Sequence, residues 1–175
     1  MRFLNALAIA ISMYSKIPTP TVDWNDKNMK YAMCFFPVVG VVTGLLQFGA
    51  GYALLTYTSC GKLLFAAVMT LIPVLVTGGI HLDGYADTID ALSSWADREK
   101  KLEILKDPHT GAFAVIGLCA YFTAALALWS EADADMLPLA ACMYPLSRAL
   151  SGIAVVSFPT AKNSGLLKTF HDGAH

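Results

Sequence analysis

Asp83, Asp87 and Asp90 fall within the run His81-Leu82-Asp83-Gly84-Tyr85-Ala86-Asp87-Thr88-Ile89-Asp90, directly after a long stretch without a charged residue. Their i, i+4, i+7 spacing puts all three on one face of a helix. Like charges gathered beside an apolar segment repel unless a cation neutralises them. Hard carboxylate oxygens suit Mg²⁺, which usually works beside phosphates. The three are candidate metal ligands, against the plainer reading of a solvated helix face with Asp83 as its N-cap.

Other residues bear on the same chemistry. Asp107 precedes Pro108-His109-Thr110-Gly111, and a surface helix folding back would bring it toward the triplet as a catalytic carboxylate. A helix-terminating turn is the competing account. His81 and His109 bracket the intervening loop, each a candidate proton shuttle or an ordinary hydrogen-bonded residue. Arg148 sits inside an apolar segment, where a charge is expensive and needs a partner: a carboxylate or a bound phosphate. No Ser-His-acid arrangement and no glycine-rich phosphate loop is present.

The elements that must position these residues are membrane helices. Of the 175 residues 56% are hydrophobic and 14% charged, where a soluble domain has roughly a quarter charged. Mean hydropathy is +0.55. A net charge of −1 lacks the basic footprint of nucleic-acid binding. Apolar segments predict four spans, from Cys34 to Tyr57, Leu63 to Ile80, Gly111 to Trp129 and Met136 to Phe158. Gly40-x-x-x-Gly44 in the first would admit a close neighbour. Phe3 to Tyr14 is short for a span and is expected to lie at the interface or tuck against the bundle. The fold class is thus all-α, a polytopic bundle forming one membrane-embedded domain over residues 1–175.

Loop charges set the orientation. Arg2, Lys16, Lys27 and Lys30 precede the first span; Arg98, Lys100, Lys101 and Lys106 lie between the second and third; Lys162 and Lys168 follow the fourth. The loop after the third span holds Glu131, Asp133 and Asp135 instead. This alternation places both termini and the acidic motif in the cytoplasm, in a cell (inner) membrane. Residues 81–110 form a cytoplasmic loop with a helix over Asp83 to Trp95 and a second over Arg98 to Lys106, capped by Asp97. Cys34, Cys60, Cys119 and Cys142 have no metal or disulfide spacing and read as buried small hydrophobes. A homo-oligomer is compatible with the sequence.

Several ordered pieces carry a resemblance. Ile17-Pro18-Thr19-Pro20, Phe36-Pro37-Val38-Val39-Gly40, the acidic block from Thr77 to Asp90, Leu105-Lys106-Asp107 with Gly111-Ala112-Phe113, Ser147-Arg148 and Gly165-Leu166 together resemble the cobalamin synthase family, the adenosylcobinamide-GDP ribazoletransferases. Lys16 stands where the family has arginine, and Ala91 where it has glycine. Family members continue with further membrane segments, so the chain is expected to lack the C-terminal spans.

The resemblance implies a reaction that joins adenosylcobinamide-GDP to α-ribazole or its 5′-phosphate, releasing GMP. It implies Mg²⁺ on Asp83, Asp87 and Asp90, with Asp90 also the base that takes the hydroxyl proton. Arg148 and Lys106 would hold phosphate oxygens. Two alternatives compete: a CDP-alcohol phosphatidyltransferase-like enzyme, whose D-G-x-x-A-R element is missing here, and a cation-coupled transporter using Asp87 and Arg148. Transporter sites lie near the bilayer midplane, whereas these acids follow the apolar span.

Overall fold

The computed structural model describes residues 2–161 and 165–174; Lys162, counted above among the basic loop residues, lies outside the described residues. Every regular element among them is helical: α1 (Arg2–Tyr14), α2 (Asp26–Met29), a 3-10 turn (Ala32–Phe35) running into α3 (Phe36–Tyr57), α4 (Lys62–Thr77), α5 (Ile80–Ser93), α6 (Arg98–Ile104), α7 (Ala112–Ser130), α8 (Met136–Ser157) and α9 (Leu166–Ala174). The all-α expectation holds.

Three helical stretches are individually long and apolar enough to cross a membrane: Ala32–Tyr57, Ala112–Ser130 and Met136–Ser157. The expected second span is corrected. It does not run straight to Ile80; α4 stops at Thr77, and α5 leaves it at 94°. Sixteen residues rise about 24 Å, less than the roughly 30 Å of a bilayer core. The stop is built by Gly78 and Gly79, both left-handed at φ 65° and 81°. The Gly78 N–H donates to the Leu75 carbonyl and the Gly79 N–H to that of Val74, the paired bonds of a Schellman ending. Apolar residues continue through the bend, so hydropathy alone runs past it.

The closest helix pair is α3 with α8. A Cβ at Gly40 would sit 2.6 Å from the backbone of Tyr144 and Pro145, and Gly44 lies against the Ala141 carbonyl. The small-residue pattern read from the sequence therefore does admit a neighbour. Pro145 explains the fit, because a proline frees the carbonyl four residues before it, here Ala141, and removes one N–H. Pro73 does the same inside α4, and the freed carbonyl of Met69 accepts a hydrogen bond from the Gln47 side chain of α3 at 2.6 Å.

The N-terminal helix is tucked rather than free. Ala6, Ile9 and Ala10 are buried, and Ile9 packs with Met29, Met33, Phe36 and Phe170. Beyond α1 the Lys16 N–H donates to the Val76 carbonyl at 2.8 Å, strapping the N-terminal segment to the end of α4. The reading of the cysteines as buried is corrected: Cys34, Cys119 and Cys142 are exposed and Cys60 is half-buried. Cys119 and Cys142 lie on exposed faces of α7 and α8, where apolar surroundings would come from lipid.

Candidate active site

The glycine bend sends α5 across the first half of α7, and Asp83 and Asp87 sit exposed on its surface. Both line a cleft of about 570 Å³ together with Lys16, Thr110, Leu118 and Phe122. The strap described above delivers Lys16: its aliphatic stem lies over Gly78, where a Cβ would collide with it. One cleft thus holds two carboxylates and one ammonium, with an apolar wall from α7.

Asp90 has a different occupation. Its Oδ2 accepts the Gly111 N–H at 2.6 Å and its Oδ1 the Ala114 N–H at 2.9 Å. The carboxylate caps the start of α7, whose own residue at the cap position is Gly111 and supplies no side chain. A Cβ at Gly111 would fall 2.5 Å from Asp90 Oδ2, so only glycine permits the approach. Among the described residues, no group of three or more His, Cys, Asp or Glu side chains converges as a metal cage. In this structure the Asp90 carboxylate ties α5 to the start of α7. Asp83 and Asp87 remain as a carboxylate pair on one cleft wall. Their chemistry suits Mg²⁺, which characteristically takes one or two carboxylates and completes its shell with water and phosphate oxygens.

Asp107 forms a local turn. Its Oδ1 accepts the His109 N–H at 2.9 Å and lies 2.6 Å from His109 Nδ1. These bonds hold its carboxyl below the usual carboxylate range, the backbone bond contributing most. Asp107, His109 and Lys106 are all exposed and line neither the acidic cleft nor the cavity behind it. Of the two accounts of Asp107, the terminating turn is the one found. Asp97 does cap α6, accepting the Lys100 N–H at 2.9 Å.

His81 and Arg148 meet on the other side of α5. They line a cavity of about 310 Å³ between α4, α5, α7 and α8, with Tyr85, Tyr121 and Tyr144. The His81 ring lies parallel to that of Phe36, with centroids 6.0 Å apart, and neither of its nitrogens has a hydrogen-bond partner. Arg148 lies 5.5 Å from the centre of the Tyr144 ring and donates from Nη1 to Ser147 Oγ at 2.9 Å. Its Nε is buried without a partner, and no carboxylate pairs with it among the described residues. Of the partners anticipated for this charge, a phosphate is the one left open.

The sequence reading missed three contributors. Lys16 was read as a loop charge, yet it is a cleft residue. The Gly78-Gly79 pair has no role in the sequence reading, although consecutive glycines ending an apolar run are a turn signal. The three tyrosines sit in or beside apolar segments, with no local pattern to separate them from span residues.

The family model described as cobalamin-5-phosphate synthase matches residues 6–175. An adenosylcobinamide-GDP ribazoletransferase of Lachnoclostridium phytofermentans is 48% identical across the whole chain, which covers 67% of that relative. One from Clostridium botulinum is 34% identical over 97% of the chain and 68% of its own length, and one from Treponema denticola 35% identical over 98% and 65%. The chain thus spans about two thirds of the length of these relatives. No solved structure matches. With a family model spanning nearly every residue and curated relatives aligned end to end with it, the chain belongs to the cobalamin-5-phosphate synthase family.

Proposed function

We propose that this chain is a Mg²⁺-assisted transferase that joins adenosylcobinamide-GDP to α-ribazole or its 5′-phosphate at a membrane surface. The products are adenosylcobalamin or its phosphate, and GMP. A hydroxyl oxygen of the acceptor ribose forms a bond to the cobinamide-side phosphorus as the bond from that phosphorus to GMP breaks. The hydroxyl proton leaves to carboxylate oxygens lining the cleft. The single observation that carries the reading is one cleft holding Asp83, Asp87 and Lys16 in a chain of this family.

Asp83 and Asp87 would hold the Mg²⁺, which when bound offsets the negative charge of a diphosphate. Lys16, whose stem lies over Gly78 in the same cleft, meets phosphate oxygens there. Leu118 and Phe122 give the cleft its apolar side, and Asp90 fixes the acidic helix against α7 so that the pair keeps its position. Lys106 and Asp107 take no part in this arrangement. The loop charges support a cytoplasmic location for the cleft and both termini, in the cell (inner) membrane.

The test is GMP release by the purified full chain from adenosylcobinamide-GDP and α-ribazole. Release should require Mg²⁺ and stop on chelation. Asp87→Asn and Asp83→Asn should each lower the rate by about 10²-fold or more, the scale for losing one preorganised electrostatic group. Full turnover in the presence of chelator, or in both variants, would overturn the assignment.

A further inference from the structure

Trp95, the second residue beyond the end of α5, is held at φ 54°, a left-handed backbone that is costly for a bulky residue other than glycine. It is also 94% exposed, and Leu92 on the last turn of α5 is 63% exposed. We infer that Leu92 and Trp95 form an interfacial anchor, which seats the far end of the acidic helix in the headgroup layer of the bilayer. A conformational cost kept at a side chain that touches little of the protein needs a gain elsewhere, and lipid supplies it.

Three observations point to lipid. First, direction: α5 leaves α4 at 94°, so with α4 along the membrane normal α5 runs in the membrane plane. Its fourteen residues carry the end of α5 about 21 Å from the bend. Second, sidedness: on the helical wheel Leu92 stands opposite Asp83 and well away from Asp87 and Asp90. A helix lying in the interface shows this division, with charges toward water and apolar side chains toward the acyl chains. Third, continuity: α5 crosses the start of α7, where Ile89 lies over Gly117 and Asp90 accepts from Gly111 and Ala114. Those same first turns of α7 expose Phe113 and Ile116, in a helix long and apolar enough to span. The apolar end of α5 thus adjoins a lipid-facing surface.

The chemistry of the two side chains selects the depth. An indole has an apolar body and one N–H donor, and tryptophan gathers where water and hydrocarbon are both in reach. The neighbouring charges do not select an anionic surface, because residues 94–110 carry as many acidic as basic side chains. The anchor is therefore aromatic and apolar rather than electrostatic. A nucleotide base is the poorer occupant, since neither Leu92 nor Trp95 lines the acidic cleft or the cavity behind α5.

The experiment is depth-resolved tryptophan quenching on the full chain in phosphatidylcholine nanodiscs. Trp24→Phe with Trp129→Phe leaves Trp95 as the single indole; should that pair of changes unfold the chain, the difference between wild type and Trp95→Phe gives the same reading. Emission from Trp95 should fall about twofold in discs brominated high on the acyl chains, and much less with bromine near the chain ends, the order for a ring at the boundary of headgroups and acyl chains. Aqueous iodide should reach it weakly. Exchanging part of the lipid for phosphatidylglycerol should leave the pattern unchanged. Leu92→Asp should move Trp95 toward iodide, because a charge resists entry to the apolar layer.

Free access of iodide without lipid quenching would overturn the anchor by placing the ring in water. Silence toward both quenchers would overturn it by placing the ring against protein, and stronger quenching from the deep bromines by placing it in the hydrocarbon core. Quenching by GDP added to unbrominated discs would overturn it in favour of a base-stacking platform. None of these readings requires turnover, so the anchor and the proposed reaction stand or fall separately.

Discussion

The α3–α8 pair and the corner formed by α4, α5 and α7 use the same ingredients, glycine and proline inside apolar helices, to opposite ends. In the pair, Gly40 and Gly44 let one backbone settle against the proline-interrupted backbone of the other. At that level the two backbones are in contact. At the corner, Gly78 and Gly79 break a helix and turn it through a right angle, and cavities open on both sides of the turned segment. Glycine in the first case removes a side chain from a contact; in the second it supplies a backbone conformation. One region gains rigidity and the other gains space, and the chemistry lies in the second.

Substitutions that turn one use of glycine into the other should break the contrast. The largest effect is expected from Gly44→Leu, which drives a side chain into the Ala141 backbone where nothing can swing away; destabilisation of about 3 kcal/mol follows, read by denaturation in detergent. Acidic-cleft chemistry in the surviving folded fraction should be near normal. Gly78→Ala is the converse. It costs about 1–2 kcal/mol for a left-handed residue and collides with the Lys16 stem, so GMP release should fall more than stability does. Equal losses would mean the bend serves the fold alone.

Asp90→Asn sharpens the comparison further. It keeps one acceptor for the start of α7 and loses the charge, so stability should drop by about 1 kcal/mol and activity far less than in Asp87→Asn. A collapse of activity equal to that of Asp87→Asn would return Asp90 to the chemistry. The smallest effect belongs to Asp107→Asn. The carboxyl of Asp107 is depressed by His109, so its contribution to stability is present above the ordinary carboxylate range and fades as pH falls through the lowered value. The side chain is exposed, so thermal unfolding at pH 7 and at acid pH should differ only slightly between variant and wild type.

What was legible in the sequence follows from how local its cause was. The i, i+4, i+7 acids needed only helical periodicity, and Asp97 announced the helix that starts at the next residue. Gly40 and Gly44 share a face by spacing alone. Asp90 could not be read this way, because its partners Gly111 and Ala114 lie far along the chain and a cap from another helix leaves no local mark. The bend at Gly78 was hidden by unbroken hydropathy from Leu63 to Ile80. Arg148 was visible as an anomaly, since a buried cation stands out against apolar neighbours. The tyrosines around it were not, because an aromatic residue in a membrane helix is ordinary until its neighbours are known.

The strap from Lys16 to Val76 joins parts of the chain that are made at different times. The ammonium emerges from the ribosome long before the aspartates, yet its resting place is the far end of a helix not yet made. A half-synthesised chain therefore holds neither a finished nucleotide grip nor the wall that bears it. The grip is finished only when α5 and then α7 have closed around the lysine.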